Sequence, residues 1–221
     1  MVEDTCGRYP PFNFNPQKAS RNGLKGSQEL DAQWPFLTMD TVYNTHSRHG
    51  PTYYWEVPIS PDGPPAPQYG TIQEVWANMA ANYPGWNDRR PVRDFSNTSK
   101  ARNMTADAGT DFWVVMMGLY TPWSYCWRSA IVDGLNHLYS APGKAKDGPG
   151  PGECVRVSCS YNSAIWWCND NDKEFEMNSF EEIAVAAYYI YFKCREEPAG
   201  VTADQVFYKE KCNAYITWND Y

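Results

Sequence analysis

Cys154-Val155-Arg156-Val157-Ser158-Cys159-Ser160-Tyr161-Asn162-Ser163-Ala164-Ile165-Trp166-Trp167-Cys168-Asn169-Asp170-Asn171 is the stretch that decides the fold. Two short runs, roughly Cys154 to Ser160 and Ser163 to Cys168, flank a tight Tyr161-Asn162 turn and read as a pair of strands. Trp166 and Trp167 are consecutive on a strand, so their side chains must face opposite sides of the sheet. One belongs to a core. The other either contributes, with Trp218, to an exposed aromatic face able to bind glycans or a host protein, or lies under a second layer. An aromatic-rich first half of the chain, with Trp34, Trp55 and Trp76, favours the covered arrangement.

Working outward, Asp111 through Met117 is a short apolar run that reads as a buried strand. Thr121 caps a helix with Pro122 at its first position, where the missing N–H costs nothing. Trp123, Trp127, Ala130, Ile131, Gly134, Leu135 and Leu138 form its apolar stripe. Pro142 to Gly152 reads as a loop. Downstream, Ser179-Phe180-Glu181-Glu182 has the form of a capping box. The helix it opens carries Phe180, Ile183, Ala187, Ile190, Tyr191 and Cys194 on one side and ends before Pro198 and Gly200. Ala214 to Trp218 is a last strand. The order β-α-β-β-α-β predicts an α+β protein of the ferredoxin-like, split βαβ kind, a sandwich of four antiparallel strands under two helices. Right-handed crossovers place the first and third strands in the middle of that sheet.

The chain divides near residue 108, giving an N-terminal extension over 1–108 and a disulfide-linked domain over 109–221. Twelve of seventeen prolines precede the boundary, including those of Ser60 to Pro67, which suits a loop or arm and not a sheet interior. One helix stands out there. Thr71-Ile72-Gln73-Glu74 is a capping box, followed by Ile72, Val75, Trp76, Met79, Ala80 and Tyr83 at helical spacing and stopped by Pro84-Gly85. Thr52 to Val57 fits a strand.

The 221 residues are 43% hydrophobic and 16% aromatic, enough for a real core. The net charge of -7 repels phosphate backbones and anionic membranes, so nucleic acid is not expected as a partner. No run of eighteen apolar residues occurs, which argues against a membrane span. Seven cysteines without metal-ligand spacing read as a disulfide framework built from Cys126, Cys154, Cys159, Cys168, Cys194 and Cys212, with the distant Cys6 the odd one. Such a framework implies an oxidising, extracellular compartment. Asn97-Thr98-Ser99 and Asn103-Met104-Thr105 are glycosylation acceptors that agree with secretion. The polar opening Met1-Val2-Glu3-Asp4 leads us to expect a mature chain whose leader has been removed.

The string from Cys154 to Asn171, continued by the helix ending in Cys194, by Val201 to Phe207 and by Asn213 to Ile216, resembles small secreted fungal proteins. It is similar to the necrosis-inducing effectors of plant-pathogenic fungi, and to virally encoded fungal killer toxins, over about residues 110–218. The resemblance implies a disulfide-linked α/β sandwich and a toxin-like virulence protein. Such a protein would act, as a monomer, by binding a host or competitor target and in some cases by inducing cell death. The alternative is a secreted carbohydrate-binding or carbohydrate-active protein, given the Trp and Tyr content.

Candidate chemistry is sparse, and the reading favours no enzyme, no cofactor and no metal. Asn169 to Glu174 alternates oxygen ligands like the start of a calcium loop, but Phe175 follows instead of the glycine of the sharp turn. A loop with local Asx turns accounts for it better. His46 and His49 lie three apart in a loop without a matching carboxylate. Glu181 and Glu182 complement a helix N-terminus. Arg89-Arg90 could be a processing site that makes residues 1 to about 90 a propeptide, although a solvated loop is the better reading.

Overall fold

The computed structural model describes residues 54–60, 63–89, 91–98, 112–116, 123–194, 200–208 and 210–219, the segment 112–116 by its backbone alone. Cys6, His46, His49, Arg90, Asn103, Thr121, Pro122 and Pro198 lie outside them.

The hairpin forms as the sequence predicts. Strands β6 (Glu153–Ser160) and β7 (Ser163–Asn169) pair antiparallel across a two-residue turn. Tyr161 and Asn162 both have positive φ, 47° and 56°, which matches the turn twist to the strand twist. Around them stands an antiparallel sheet in the order β3 (Phe112–Met116), β10 (Asp204–Tyr208), β11 (Cys212–Trp218), β7, β6. The mixed α+β class holds. The order, however, differs from the split βαβ expectation: there are five strands, and the first lies at an edge instead of in the middle. The reason is β10, which inserts between β3 and β11 and was not expected. It pairs antiparallel with both, so no parallel crossover brings the first strand beside the third.

Two helices cover one face of this sheet. Helix α3 (Arg128–Ser140) lies on β6 and β7, helix α4 (Phe180–Lys193) lies on β10 and β11, and the two pack on each other. Most of the predicted stripes are buried, Ala130, Ile131, Gly134, Leu135 and Leu138 on α3 and Phe180, Ile183, Ala187 and Ile190 on α4; Trp127 is exposed, Tyr191 is half-buried, and α4 buries Ala184, Ala186 and Tyr188 as well. The helix starts differ. Residues 123–127 are not helical: Cys126–Trp127 is a strand, β4, paired with β9 (Val201–Thr202), and Ser124 O accepts from Trp218 N. That backbone pairing wins over helix propensity, so α3 begins only at Arg128. Ser179 makes no side-chain cap. Glu182 instead accepts from Asn178, at its backbone N (3.1 Å) and its Nδ2 (2.9 Å).

The first part of the chain shares this core. Helix α1 (Ile72–Asn82) begins with the predicted capping box, Thr71 Oγ1 accepting from Glu74 N while Glu74 Oε2 accepts from Thr71 N. Its Ile72, Val75, Trp76 and Met79 are buried against α3 and β6. A second sheet runs β2 (Pro65–Gln68), β1 (Tyr54–Pro58), β5 (Lys144–Asp147), β8 (Phe175–Glu176). The proline-rich β2 occupies an edge, where missing donors face away from the ladder. Strand β5 falls inside the expected 142–152 loop. Its Lys-Ala-Lys-Asp carries no β-branched residue and is a strand because β1 and β8 flank it. Trp55 sits 4.9 Å from Phe180, ring centre to ring centre, so residues 54–98 and 123–218 contribute to one hydrophobic cluster. A short helix, α2 (Trp86–Arg89), adds Trp86, packed edge-on to Trp76.

Gly134 marks the closest helix–sheet approach. A Cβ there would stand 2.2 Å from Ser158 Oγ and 3.0 Å from Ile165 Cδ1. Ser158 cannot swing aside freely, since its Oγ accepts from Gln73 Nε2 at 2.8 Å, tying α1 to the sheet. Gly134→Ala is therefore expected to cost about 1–2 kcal/mol net, overpacking outweighing the gain of about 1 kcal/mol in helix propensity. Urea unfolding measures it, and a stabilised variant would show that Ser158 yields without loss.

Candidate functional site

The two faces of the five-stranded sheet separate Trp167 from Trp166, as strand geometry requires. Trp167 is fully buried on the helix side with Ile165, Ala214 and Ile216, and belongs to the core, not to a binding surface. Its indole N–H has no hydrogen-bond partner among the described residues. Trp166 is on the other face, partly exposed, in one cross-strand row with Arg156, Tyr215 and Gln205. Tyr215 stacks in parallel with Trp123 at 4.0 Å and with Trp166 at 5.8 Å. This face is also largely covered: Ala164, Cys168, Asn213 and Tyr215 are all buried. Trp55 and Trp76, expected to cover this face, instead lie in the helix-side core beside Phe180 and His137, and Trp34 lies outside the described residues.

The cysteines divide differently from the six-member framework expected. Cys154 and Cys168, directly opposite on β6 and β7, form a disulfide, and Cys159 is disulfide-bonded as well. Cys126, Cys194 and Cys212 are instead buried thiols. Two have a local contact that explains their place: Cys126 Sγ donates to Thr202 O at 3.2 Å and Cys194 Sγ to Asp204 Oδ2 at 3.4 Å. Burial pushes the Cys126 thiol far up and that of Cys212 up to about 12, which keeps both protonated and unreactive. Closing a loop with a sequence separation of 14, the Cys154–Cys168 bridge is expected to contribute about 3 kcal/mol. Guanidinium unfolding of the Cys154→Ala/Cys168→Ala double variant tests this; an unchanged midpoint would show the ladder alone holds the hairpin.

At the turn end of the hairpin an aromatic rim is assembled by backbone bonds. Trp218 N donates to Ser124 O (2.8 Å), Asn219 N to Asn162 O (2.8 Å), Ser124 N to Thr217 Oγ1 (3.1 Å) and Trp127 N to Ser163 Oγ (2.9 Å). These bonds gather Trp123, Tyr125, Trp127, Tyr161 and Trp218 around one sheet end. Trp127 is 42% and Tyr161 51% exposed, two of the four large hydrophobic side chains that the described residues leave exposed. Trp218, expected at a binding surface, lies here, partly buried against the core. Trp127 and Tyr161 were missed. The period-two spacing Trp123-x-Tyr125-x-Trp127 is the signal of an extended segment that could have found the first, but it was read at helical period.

The opposite end of the same strands is polar. Asn169 is fully buried and donates from Nδ2 to Gly148 O (2.7 Å) and Lys173 O (2.8 Å). Its Oδ1 accepts from Asn171 N at 2.9 Å, the Asx turn anticipated for this loop. Asn213 Nδ2 donates to Asp170 Oδ2 (2.7 Å) and Gln205 Nε2 to Asn213 Oδ1 (3.0 Å). The alternating oxygens from Asn169 to Asn171 thus largely serve the protein's own N–H groups. Among the described residues no cluster of His, Cys, Asp or Glu is arranged to hold a metal. Asp147 is fully buried beside this network. Its Oδ1 accepts from Gly148 N at 2.9 Å, while Oδ2 has no partner among the described residues. Burial, aided by the charge of Glu153, pushes its carboxyl up to about 8. Asp170 is raised in the same sense by burial, against the bond from Asn213.

The remaining sites stand apart from both ends. Asn97 is exposed in a short 3-10 helix, Phe95–Asn97, with its Nδ2 donating to Asp94 Oδ2. Glu181 and Glu182 occupy the first turn of α4. Arg93 N donates to Ser140 Oγ at 2.7 Å, so the segment after the dibasic pair is docked on α3. No described helix is long and apolar enough to cross a membrane. The chain matches no protein-family model, no characterised protein and no solved structure.

Proposed function

We propose that this chain is a secreted fungal protein of the effector or toxin-like kind, acting by binding a target surface through the aromatic rim at the turn end of its sheet. The observation that carries the reading is the exposure of Trp127 and Tyr161 on a frame fixed by backbone bonds. Exposed rings held rigid bind at low entropic cost, and Trp and Tyr dominate binding energy wherever they are anchors. The disulfide-bonded Cys154, Cys168 and Cys159 suit an oxidising compartment, and the thiols of Cys126, Cys194 and Cys212 are buried away from solvent oxidants.

A binding role fits better than hydrolysis. The carboxyls that burial raises, Asp147 and Asp170, sit at the far end of the strands. Seven residue steps along β6 put about 20 Å between that end and the rim. Burial of Asp147 also keeps it from any substrate.

The test is infiltration of purified oxidised protein, reduced protein and a Trp127→Ala/Tyr161→Ala variant into leaf tissue, scoring cell death and labelling of the cell surface. Labelling or death from the oxidised protein, lost on reduction and in the variant, is the expected result. A variant as potent as the parent would remove the rim from the reading.

A further inference from the structure

We infer that Cys159 is bridged to Cys6, and that the N-terminal segment so tied covers the open face of the five-stranded sheet, the face turned away from α3 and α4.

The bridge follows from the state of every other cysteine. Cys159 is disulfide-bonded. The chain has seven cysteines. Cys154 and Cys168 are taken up by each other, and Cys126, Cys194 and Cys212 are buried thiols. Cys6 is the partner that remains, which reverses the expectation that it stands alone. Register agrees. Directly opposite Cys159 on β7 is Ala164, so a cross-strand bridge like that of Cys154 and Cys168 is not open to it. Its side chain leaves the sheet on the open face, in the row that runs through Ala164 to Thr217. A partner must therefore approach from off the sheet.

The face itself argues for the same occupant. Cys159 and Ala164 are buried and form a small cluster with Trp166, apart from the main core. Helices α1, α3 and α4 all pack on the other side. Trp123 stacks on Tyr215 of the open face at 4.0 Å, but Tyr215 is on β11, two strands from Cys159 on β6. The β6 side is left to another occupant. The sequence next to Cys6 has the chemistry for it: Tyr9, Phe12 and Phe14 follow, with Pro10-Pro11 between. Aromatic rings suit an apolar patch of Ala164 and Trp166. Prolines bring no N–H that would stay unpaired against a face whose backbone groups are spent in their own ladder. Length is no obstacle. Fully extended, the stretch from Cys6 to Tyr54 reaches about 160 Å, several times the roughly 20 Å width of five strands.

The bridge forms by thiol–disulfide exchange. The sulfurs of Cys6 and Cys159 are oxidised, and their two protons and two electrons pass to a disulfide oxidant, which leaves as two thiols. Once formed, the bridge changes what a cut at Arg89-Arg90 would do. Residues 1 to about 90 would stay attached through Cys6, as one of two linked chains and not as a freed propeptide.

The experiment takes the full chain, secreted into oxidising medium, and unfolds it with N-ethylmaleimide to block free thiols. It is then digested with trypsin and chymotrypsin without reduction. Cleavage after Arg156 and Tyr161 separates Cys159 from both Cys154 and Cys168, so mass spectrometry reads its partner directly. The expected result is the Cys6 peptide joined to the Cys159 peptide, with maleimide on Cys126, Cys194 and Cys212. Maleimide on Cys6 or Cys159 would overturn the inference, as would Cys159 joined to another cysteine or to a small thiol. A non-reducing gel that shows the link running between two copies would overturn it as well. Coverage of the face is read separately. In Cys6→Ser and Cys159→Ala, each checked for folding by circular dichroism, brief trypsin treatment is expected to cleave after Arg8, Lys18 and Arg21 about tenfold faster than in the parent. Equal rates would overturn the cover and leave the bridge alone standing.

Discussion

Unfolding free energy is expected to fall as pH rises from about 4 to about 8, and Asp147→Asn is expected to remove most of that fall. Asp147 is buried with one carboxylate oxygen unpartnered and Glu153 nearby. Its folded-state value of about 8 therefore lies above the ordinary 3.8 that the unfolded chain restores. A group raised in this way contributes stability that is complete below the unfolded value. That contribution is lost as pH climbs through the folded one, because only the unfolded chain releases the proton freely. At about 1.4 kcal/mol per unit of pKa, the whole window is worth on the order of 5 kcal/mol. Asp170 adds a smaller effect of the same sign. Lys144 and Lys146, on the same strand, do not offset it. They lie at alternate positions from Asp147 and are engaged with Glu176 and Glu56. Urea unfolding at one-unit pH intervals measures the slope. Asp147→Asn should flatten it and leave the variant more stable than the parent at pH 8. An unchanged slope in the variant would assign the pH dependence elsewhere.

Trp167→Ala is expected to destabilise by about 3–5 kcal/mol, enough to unfold a chain of ordinary marginal stability at growth temperature. The indole is fully buried on the strand pair β7–β11, tilted against Phe175 at 6.4 Å. Removing it leaves a cavity between the sheet and its helices. Trp166→Ala, one residue away on the opposite face, is expected to cost clearly less, because Trp166 keeps part of its surface in solvent. The pair of variants makes a test of face assignment in a single strand. Equal losses in urea midpoint would mean that both faces of the sheet are packed to the same degree.

How much of this was legible in the sequence depends on the range of the contacts concerned. The capping box at Thr71 and Glu74, the stop at Pro84-Gly85 and the Tyr161-Asn162 turn are settled within a few residues, and each is where the sequence places it. So are the apolar stripes of α3 and α4, because a 3.6-residue period needs no partner to be seen. Lys144–Asp147 and Cys126–Trp127 are different. The first lacks a strand's composition and is extended because β1 and β8 offer it ladders; the second carries aromatics that fit a strand's period as well as a helix's, and pairing with β9 decides between them. The cysteines show the same limit. Their number suggested a framework, but a bridge needs two Cβ atoms within reach, which cross-strand register supplies for Cys154 and Cys168.

The sequence by itself therefore determined the class of the protein, its hairpin, the bounds of α1 and the opposite facing of Trp166 and Trp167. All of these follow from backbone periodicity and local hydrogen bonding. Only the tertiary structure decided the insertion of β10 between β3 and β11, the choice of Trp167 for the core, the isolation of Asp147 from water and the gathering of Trp127 and Tyr161 at one rim. Those outcomes depend on which distant backbone groups satisfy one another on folding, and no local pattern encodes that.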